Sequence, residues 1–329
     1  PLDGTFAKNV IVQVKNGPID FQPREPFHPL FGAMPKTPLA LEFQITQEYT
    51  GFSTNVFYQS ILFKECLDSD TYQNGKGSTV AKVIDGSLGN DQITMMAGVA
   101  NTGSDRNWTG HLLSQANWYA FGRLAWDHTL SSEKIADEWV KQTLTRDAEA
   151  SQTIENILLK SRDVYVNFTT PLGLHHVMGQ NIHWGPEPWL ERSQRPDWTS
   201  IYYHRADSLG LGFDRKATGS NALSLYHPEV AKQWLDPAKT DLNYLLWFHH
   251  VGWQEKLSSG RSLWDEFCYR YDTGLKEVEA LQKDWESVKG KVDPEIFADV
   301  RGGWRPNNAS RFCGAMRMFC ISKPIRNFP

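Results

Sequence analysis

The sequence predicts an α/β fold, made of the last strands of a (β/α)8 TIM barrel, followed by a mainly α-helical domain. Two short runs, 9–15 and 38–46, are rich in Val, Ile, Leu and Phe, as strands buried on both faces of a parallel sheet are. An acidic residue follows each run, Asp20 and then Glu48. Their separation of 28 positions is about the interval at which strands recur in such a barrel. From about residue 112 onward, apolar residues recur every three or four positions, which is typical of helices.

The first part of the chain alternates strands with loops and one helix. Between the two strands, the Pro-rich segment 22–29 is predicted to be a loop. A helix is predicted over 55–68 and a third strand around 93–100. Because a closed barrel needs eight strands, we expect this chain to hold only the last ones and the others to lie upstream. The first residue, Pro1 rather than Met, agrees with that expectation.

The second part is predicted to be helical, with a loop-rich interruption at 179–220. One helix opens at Ser132, and the clearest one runs from Ser262 to about Val288. Its apolar stripe is expected to lie in the core: Trp264, Phe267, Cys268, Tyr271, Leu275, Val278, Leu281, Trp285 and Val288. We therefore predict two domains, residues 1–135 for the C-terminal part of the barrel and residues 136–329 for the helical domain.

Composition excludes several classes of protein. The chain has 329 residues, a net charge of -4 and a mean hydropathy of -0.48. Neither a nucleic-acid partner nor a membrane partner is expected, because no basic surface and no apolar run of spanning length occurs. Tryptophan is frequent, with 13 residues. These rings fill a helical core or, in part, line a sugar site, where flat sugar faces stack on indole rings.

The cysteines and glycosylation sequons bear on where the protein is located. Four cysteines are too few for a disulfide scaffold, although Cys313 and Cys320 would bridge if a turn brings them together. Asn107, Asn167 and Asn308 each begin an Asn-X-Ser/Thr triplet. These features lead us to expect a secreted, extracellular glycoprotein.

Asp20 and Glu48 are the candidate catalytic residues. Catalytic groups of such barrels gather at the C-terminal strand ends, and hydrolysis of a glycosidic bond uses two carboxyl groups. Glu42 shares the strand face of Glu48 but is expected to lie deeper. The alternative is that each acid pairs with a nearby base, such as Arg24 or Lys64, and only holds loops together.

Lys15, at the end of the first strand, has two interpretations that spacing alone does not separate. A lysine at a buried strand needs a counter-charge, which Asp20 or Glu48 would supply through an ion pair. Alternatively, its ammonium group anchors an anionic part of the substrate, such as a carboxylate.

No metal or cofactor is expected. His175, His176 and His183 lack the spacing and the carboxylate partner of a metal site, so packing or hydrogen bonding to a sugar is favoured. The glycine-rich stretches 74–79 and 210–215 lack the spacing of phosphate-binding loops and are predicted to be turns.

Longer blocks of the sequence resemble a known family. Segment 15–26, Lys-Asn-Gly-Pro-Ile-Asp-Phe-Gln-Pro-Arg-Glu-Pro, closely resembles a signature of the family 67 glycoside hydrolases, the α-glucuronidases of xylan breakdown. Further blocks continue the resemblance in the correct order at 32–38, 42–49, 103–111, 115–126, 171–176, 195–200 and 218–222. The resemblance covers roughly residues 9–310.

The resemblance implies an activity and roles for four residues. Such enzymes cleave, with inversion, the α-1,2 bond that joins glucuronic acid, or its 4-O-methyl ether, to the non-reducing-end xylose of glucuronoxylan-derived oligosaccharides. Asp20 and Glu48 match the family's candidates for activating the attacking water. Lys15 matches a lysine that helps bind the uronate carboxylate. Trp198 matches a tryptophan of the apolar pocket around the methoxy group.

The resemblance also implies parts that this sequence lacks. The family has an N-terminal β-rich domain, a central barrel and a C-terminal helical domain, and its general acid is a glutamate on an earlier barrel strand. We therefore expect an N-terminal portion of the same enzyme as a partner, and a homodimer. Two alternatives are a non-catalytic carbohydrate-binding fragment and a barrel glycosidase that acts on a neutral sugar.

Overall fold

A computed structural model of the protein describes residues 2–46, 48–51, 53, 55–88, 95–102, 104, 106–110, 112–179 and 182–303. Of the sequence predictions, the pair Cys313–Cys320 and the sequon at Asn308 lie outside the described residues.

A three-stranded parallel sheet forms the first part of the fold. Its strands are β1 (Val12–Lys15), β2 (Leu39–Gln44) and β3 (Met96–Val99), in the order β1-β2-β3. Val12 lies opposite Leu39, and Leu41 lies opposite Met96. The central strand β2 is almost entirely buried, because its side chains face packed layers on both sides of the sheet. The three predicted strands are confirmed, with β1 and β2 shorter than predicted, and their carboxyl ends meet at one edge. Residues 93 and 94 of the predicted third strand lie outside the described residues.

Eleven helices are present among the described residues. They are α1 (Leu30–Ala33), α2 (Ser60–Asp68), α3 (Val80–Ile84), α4 (Gln115–Trp126), α5 (Ser132–Thr143), α6 (Ala148–Thr169), α7 (Ser200–His204), α8 (Pro228–Ala231), α9 (Leu245–Phe248), α10 (Leu263–Ser287) and α11 (Pro294–Gly303). Short 3-10 helices lie between them, the first at Glu48–Thr50.

Helix α2 begins five residues later than predicted. The backbone N–H of Tyr58 donates to Ser161 Oγ at 2.9 Å, and that of Gln59 donates to Asn117 Oδ1 at 2.8 Å. Since side chains of other helices satisfy these donors, the segment before Ser60 has no need of helical hydrogen bonds. The predicted helix over 55–68 is therefore wrong for its first five residues.

In the second part of the fold, the two longest helices, α6 and α10, pack against each other. Ser262 caps α10, its hydroxyl accepting a hydrogen bond from the N–H of Asp265 at 3.0 Å. Gly274 faces α6 so closely that a Cβ there would lie 2.7 Å from the backbone nitrogen of Phe168. The predicted helix is confirmed, and most of its stripe lies in the core, including Tyr271, Leu281 and Trp285. The prediction is wrong for Trp264, Cys268 and Leu275, which are only half-buried.

Two short antiparallel ladders interrupt the helical part. Strand β4 (Met178–Gly179) pairs with β5 (Ile182–Pro186), and β6 (Gly210–Leu211) pairs with β7 (Val251–Gly252). The prediction of a turn at Gly210–Leu211 is wrong, because these residues hydrogen-bond to a strand 40 positions further along the chain. The fold is thus a small parallel sheet with helices, followed by a helical part that also contains β-structure.

Candidate active site

The carboxyl end of β1 brings Lys15 and Asp20 into contact. The Lys15 ammonium forms an ion pair with the Asp20 carboxylate and lies 4.8 Å from the centroid of the Phe21 ring. The side chains are 41% and 29% exposed, so solvent and a ligand have access to both. The ion pair expected for Lys15 with Asp20 or Glu48 is therefore present, with Asp20 as the partner.

The loop that carries Asp20 folds around a buried carboxyl group. Glu25 accepts hydrogen bonds from the N–H of Ile19 and from the N–H of Gln22, each at 3.0 Å. Burial raises the pKa of Glu25 to about 8, and the charge of Asp20 adds to this rise. The two backbone hydrogen bonds and the charge of Lys15 act in the opposite direction. Glu25 lies within the quoted signature but is not among the site residues predicted from the sequence.

The carboxyl end of β2 carries Glu48. This residue begins the 3-10 helix Glu48–Thr50, and its N–H donates to Gln44 Oε1 at 3.2 Å. The next residue, Tyr49, is fully buried. Its backbone oxygen accepts a hydrogen bond from the hydroxyl of Tyr165 on α6. The helical part thus holds the turn that presents Glu48.

The hydroxyl of Tyr49 lies near three of the predicted site residues, Asp20, Glu48 and Trp198. Burial raises its pKa, and the charges of Asp20 and Glu48 raise it further. Hydrogen bonds from the side chains of Gln22 and Trp198 act in the opposite direction. The Tyr49 hydroxyl is therefore near enough to Asp20 and Glu48 to be influenced by their charges, and it forms a hydrogen bond with Trp198.

His176 links the Asp20 loop to the helical part. Its N–H donates to Gln22 Oε1 at 2.8 Å, and its Nδ1 lies 3.3 Å from the Tyr49 hydroxyl. Its ring is 5.8 Å from that of Trp198, centroid to centroid. His176 also has a positive φ of 55°, a conformation that non-glycine residues keep only where surrounding contacts fix it. The predicted packing role of this histidine agrees with these contacts, and its hydrogen bonding to a sugar stays a prediction.

The neighbouring His175 is fully occupied by structural contacts. Its Nε2 lies 3.2 Å from a guanidinium nitrogen of Arg215, and its ring packs 4.2 Å from that of Trp247. Burial lowers its pKa, so that it stays neutral. No group of three or more potential metal ligands occurs among the residues that the structure describes.

The bases named as alternative partners of the two acids have other partners. Arg24 forms an ion pair with Asp163, and Lys64 pairs with Asp68 at 2.9 Å. Neither contact involves the strand-end carboxylates. Asp20 does pair with a nearby base, as that alternative expects, but the base is Lys15 rather than Arg24 or Lys64.

The second sequon lies in a packed interface. The amide of Asn167 on α6 donates to Glu277 at 3.3 Å and accepts from Arg270 at 3.4 Å, both on α10. A glycan attached there would separate the two helices. Asn107, in contrast, is half-buried in a turn, where its Oδ1 accepts from the Thr109 hydroxyl at 2.6 Å. None of the helices in the described part of the chain has the length and apolar character needed to cross a membrane.

The arrangement is suited to hydrolysis of a bond next to an anionic group. Two carboxylates near one polar cluster are able to orient and deprotonate water, and the adjacent ammonium group is a partner for an anion. The partly exposed indole of Trp198 supplies an apolar face next to them.

Family models match almost the entire chain. Residues 1–108 match the model of the glycosyl hydrolase family 67 middle domain, and residues 109–317 match that of the glycosyl hydrolase family 67 C-terminus. The two models thus meet between residues 108 and 109, whereas the sequence analysis predicts a domain boundary at 135.

Curated proteins of fungi are similar to the chain over most of its length. It is 36% identical over 303 residues to alpha-glucuronidase A of Emericella nidulans, covering 91% of this chain and 35% of that protein. The values for the protein named probable alpha-glucuronidase A of Aspergillus clavatus are 36% over 303 residues, 91% and 36%. For alpha-glucuronidase of Hypocrea jecorina they are 36% over 302 residues, 91% and 35%. The chain therefore spans about a third of the length of these relatives.

Proposed function

Because the chain belongs to glycosyl hydrolase family 67, we propose that it is the C-terminal part of an inverting α-glucuronidase. Its substrates are glucuronoxylan-derived oligosaccharides that carry glucuronic acid or its 4-O-methyl ether on the non-reducing-end xylose. The observations that carry the proposal are the ion pair of Lys15 with Asp20 and the position of Asp20, Glu48 and Trp198 near Tyr49, in a chain that matches this family along its length.

In the proposed mechanism, Lys15 releases Asp20 and binds the uronate carboxylate. Asp20 and Glu48 then share the base side of the reaction: they orient the attacking water and accept its proton. Inversion needs room for that water between the base and the acid, roughly 6.5–9.5 Å between carboxyl groups. Trp198 covers the apolar side of the sugar, including the methoxy group. The general acid comes from outside this chain.

We further propose that the three-stranded sheet is completed into an eight-stranded barrel by an N-terminal portion of the same enzyme. Two observations support this: β1 and β3 are the edge strands of the described sheet, and the relatives are almost three times as long as the matched region. Parallel strands with both faces covered occur almost only in such closed or doubly wound sheets.

Homodimer formation, secretion and glycosylation complete the proposal. Asn107 is the better-placed described sequon, because Asn167 lies between two helices. Light scattering of the purified protein reports its mass in solution. The presence of the protein in the culture medium reports secretion. A loss of mass on glycosidase treatment reports an attached glycan.

The experiment that tests the function compares the cleavage of aldotriouronic acid by this chain alone and by the assembled enzyme, which is this chain together with its N-terminal portion. The assembled enzyme is expected to release glucuronic acid, first as the β-anomer in NMR spectra, whereas the chain alone binds the substrate without cleaving it. Equal cleavage of a neutral xylotriose would favour a glycosidase for neutral sugars. Binding without cleavage in the assembled enzyme would favour a non-catalytic carbohydrate-binding protein, the second candidate, which the short span of the chain supports.

A further inference from the structure

Glu25 fixes the backbone on both sides of Asp20. Its side chain is 8% exposed, and both of its carboxyl oxygens are used. Oε2 accepts from the N–H of Ile19, directly before Asp20, and Oε1 accepts from the N–H of Gln22, two residues after it. One buried group thus spans the segment that presents the candidate base.

The loop is shaped to hold this carboxyl group. A Cβ at Gly17 would lie 2.0 Å from Glu25 Cδ, so only glycine fits there without moving the carboxyl. Phe21, directly after Asp20, has a φ of 54°, which a non-glycine residue adopts only where neighbouring contacts fix it. The conformation of the loop therefore depends on the group at its centre.

Burial and the neighbouring charge of Asp20 favour a neutral Glu25. Burial is the largest influence and raises the pKa of Glu25 to about 8, with a further rise from Asp20. A protonated carboxyl adds no second negative charge beside Asp20, and each of its oxygens keeps a lone pair for a backbone N–H. The titratable and charged groups that face Glu25 from the surrounding elements are Lys15, Asp20, Glu65, Cys66, Arg162, Arg215 and Tyr226.

We propose that Glu25 is a positioning residue for the reaction: through Ile19 and Gln22 it holds the Asp20 carboxylate toward the attacking water. This inference rests on the function proposed above for Asp20. Glu25 also lines a cavity of about 240 Å³, together with Glu65 and Arg162.

The first test is amide hydrogen exchange in this chain, which needs no activity. In Glu25→Gln, the amide nitrogen has no lone pair for a backbone N–H, so one of the two hydrogen bonds is lost. We expect exchange at Ile19 or Gln22, or at both, to be about tenfold faster at one fixed pH. The matched control is Glu65→Gln, because Glu65 lines the same cavity but pairs with Arg162. Unchanged exchange at both amides in Glu25→Gln overturns the proposal.

The second test is turnover of aldotriouronic acid by the assembled enzyme. We expect Glu25→Gln to lower kcat about tenfold and to leave KM nearly unchanged, because Asp20 acts on the water and Lys15 holds the sugar. Faster exchange with an unchanged kcat overturns the positioning role. If the wild type releases no glucuronic acid, the proposed function fails, and the exchange result alone decides whether Glu25 holds the loop.

A third variant covers the case in which Glu25→Gln does not fold. Glu25→Asp keeps the carboxyl group but withdraws it by one methylene from the two N–H groups. It is expected to show the same faster exchange at Ile19 and Gln22, and exchange at the wild-type rate would overturn the proposal.

Discussion

The two segments that present the candidate carboxylates are held in different ways. The Asp20 loop is fixed chiefly by residues of the sheet part, the buried Glu25 and the ion pair with Lys15, and it also accepts one hydrogen bond from the N–H of His176. The Glu48 turn is fixed from the helical part, because Tyr49 bonds to Tyr165 on α6 and to His176. The two segments thus share His176 as a neighbour, but the Asp20 loop is held chiefly by its own buried carboxyl group and the Glu48 turn by α6.

This difference teaches that equivalent strand positions do not give equivalent sites. Asp20 lies beside the ammonium group of Lys15, in a loop held by a buried carboxyl group. Glu48 lies in a single 3-10 turn, next to the packed rings of Tyr49 and His176. Where neighbouring carboxyl groups have different environments, their roles in a reaction are expected to differ. Substitutions that act on one segment and spare the other test the comparison.

The largest effect is expected at the carboxylates themselves. Asp20→Asn and Glu48→Gln should each lower kcat of the assembled enzyme by about 10²–10⁴-fold, because a general base contributes that much. Stability should change by less than about 1 kcal/mol at Asp20, since its ion pair is partly exposed. Steady-state kinetics on aldotriouronic acid measures the loss. Turnover near that of the wild type in either variant would remove that residue from the mechanism.

A smaller effect is expected at Lys15, which belongs to the Asp20 side. Lys15→Met should raise KM about 10–100-fold, because a charge-assisted hydrogen bond to the uronate is lost. The matched control is Lys8→Met, since Lys8 is an exposed lysine in the segment before β1. Equal KM values for the two variants would contradict a role for Lys15 in binding the uronate.

The pH dependence of the free energy of unfolding tests Glu25, the buried residue that holds the Asp20 loop. The pKa of Glu25 in the folded protein, about 8, lies above the value of 4.5 that it has when exposed. The folded state therefore binds more protons between these values, and its stability falls as pH rises through this window, by up to about 1.4 kcal/mol per pH unit. Urea unfolding at several pH values should show this slope in the wild type and not in Glu25→Gln. Identical slopes would show that Glu25 does not titrate in this way.

The smallest effect tests the Glu48 side. Tyr165→Phe removes the hydroxyl that bonds to Tyr49 and should lower the free energy of unfolding by about 1 kcal/mol. Tyr58→Phe is the control, because that buried hydroxyl donates to Ser132, at 3.2 Å, away from the site. Both variants should lose similar stability, and only Tyr165→Phe should also lower kcat. A similar kcat in both variants would show that the contact between α6 and the Glu48 turn does not affect turnover.

The regular parts of the fold follow from apolar patterns in the sequence. The strand β2 and the helix α10 bury continuous or periodic apolar side chains, so composition and period predict them. The beginning of α2 and the ladder β6–β7 do not follow from such patterns. Distant partners decide them, through the Ser161 and Asn117 side chains in one case and through Val251 in the other.

The candidate site is only partly predictable for the same reason. Lys15, Asp20 and Glu48 lie at or just after strand ends, where the catalytic groups of barrels gather, so the strand pattern predicts them. Trp198 is predicted only from the family resemblance. Glu25 lies within the family signature, but its contacts with the N–H groups of Ile19 and Gln22 follow from the local fold of the loop, which no apolar pattern predicts. Tyr49 and His176 have no such signal, because their contact joins segments far apart in sequence. The catalytic and binding roles of the four predicted residues stay predictions.

The central claim is that the sheet part and the helical part build one uronate site. Calorimetric titration of glucuronic acid into the assembled enzyme, as wild type, Lys15→Met and Trp198→Ala, tests it most directly. The account predicts that each substitution raises Kd at least about tenfold, roughly 1.4 kcal/mol of binding free energy. A Trp198→Ala or Lys15→Met protein that binds glucuronic acid with the affinity of the wild type would contradict it.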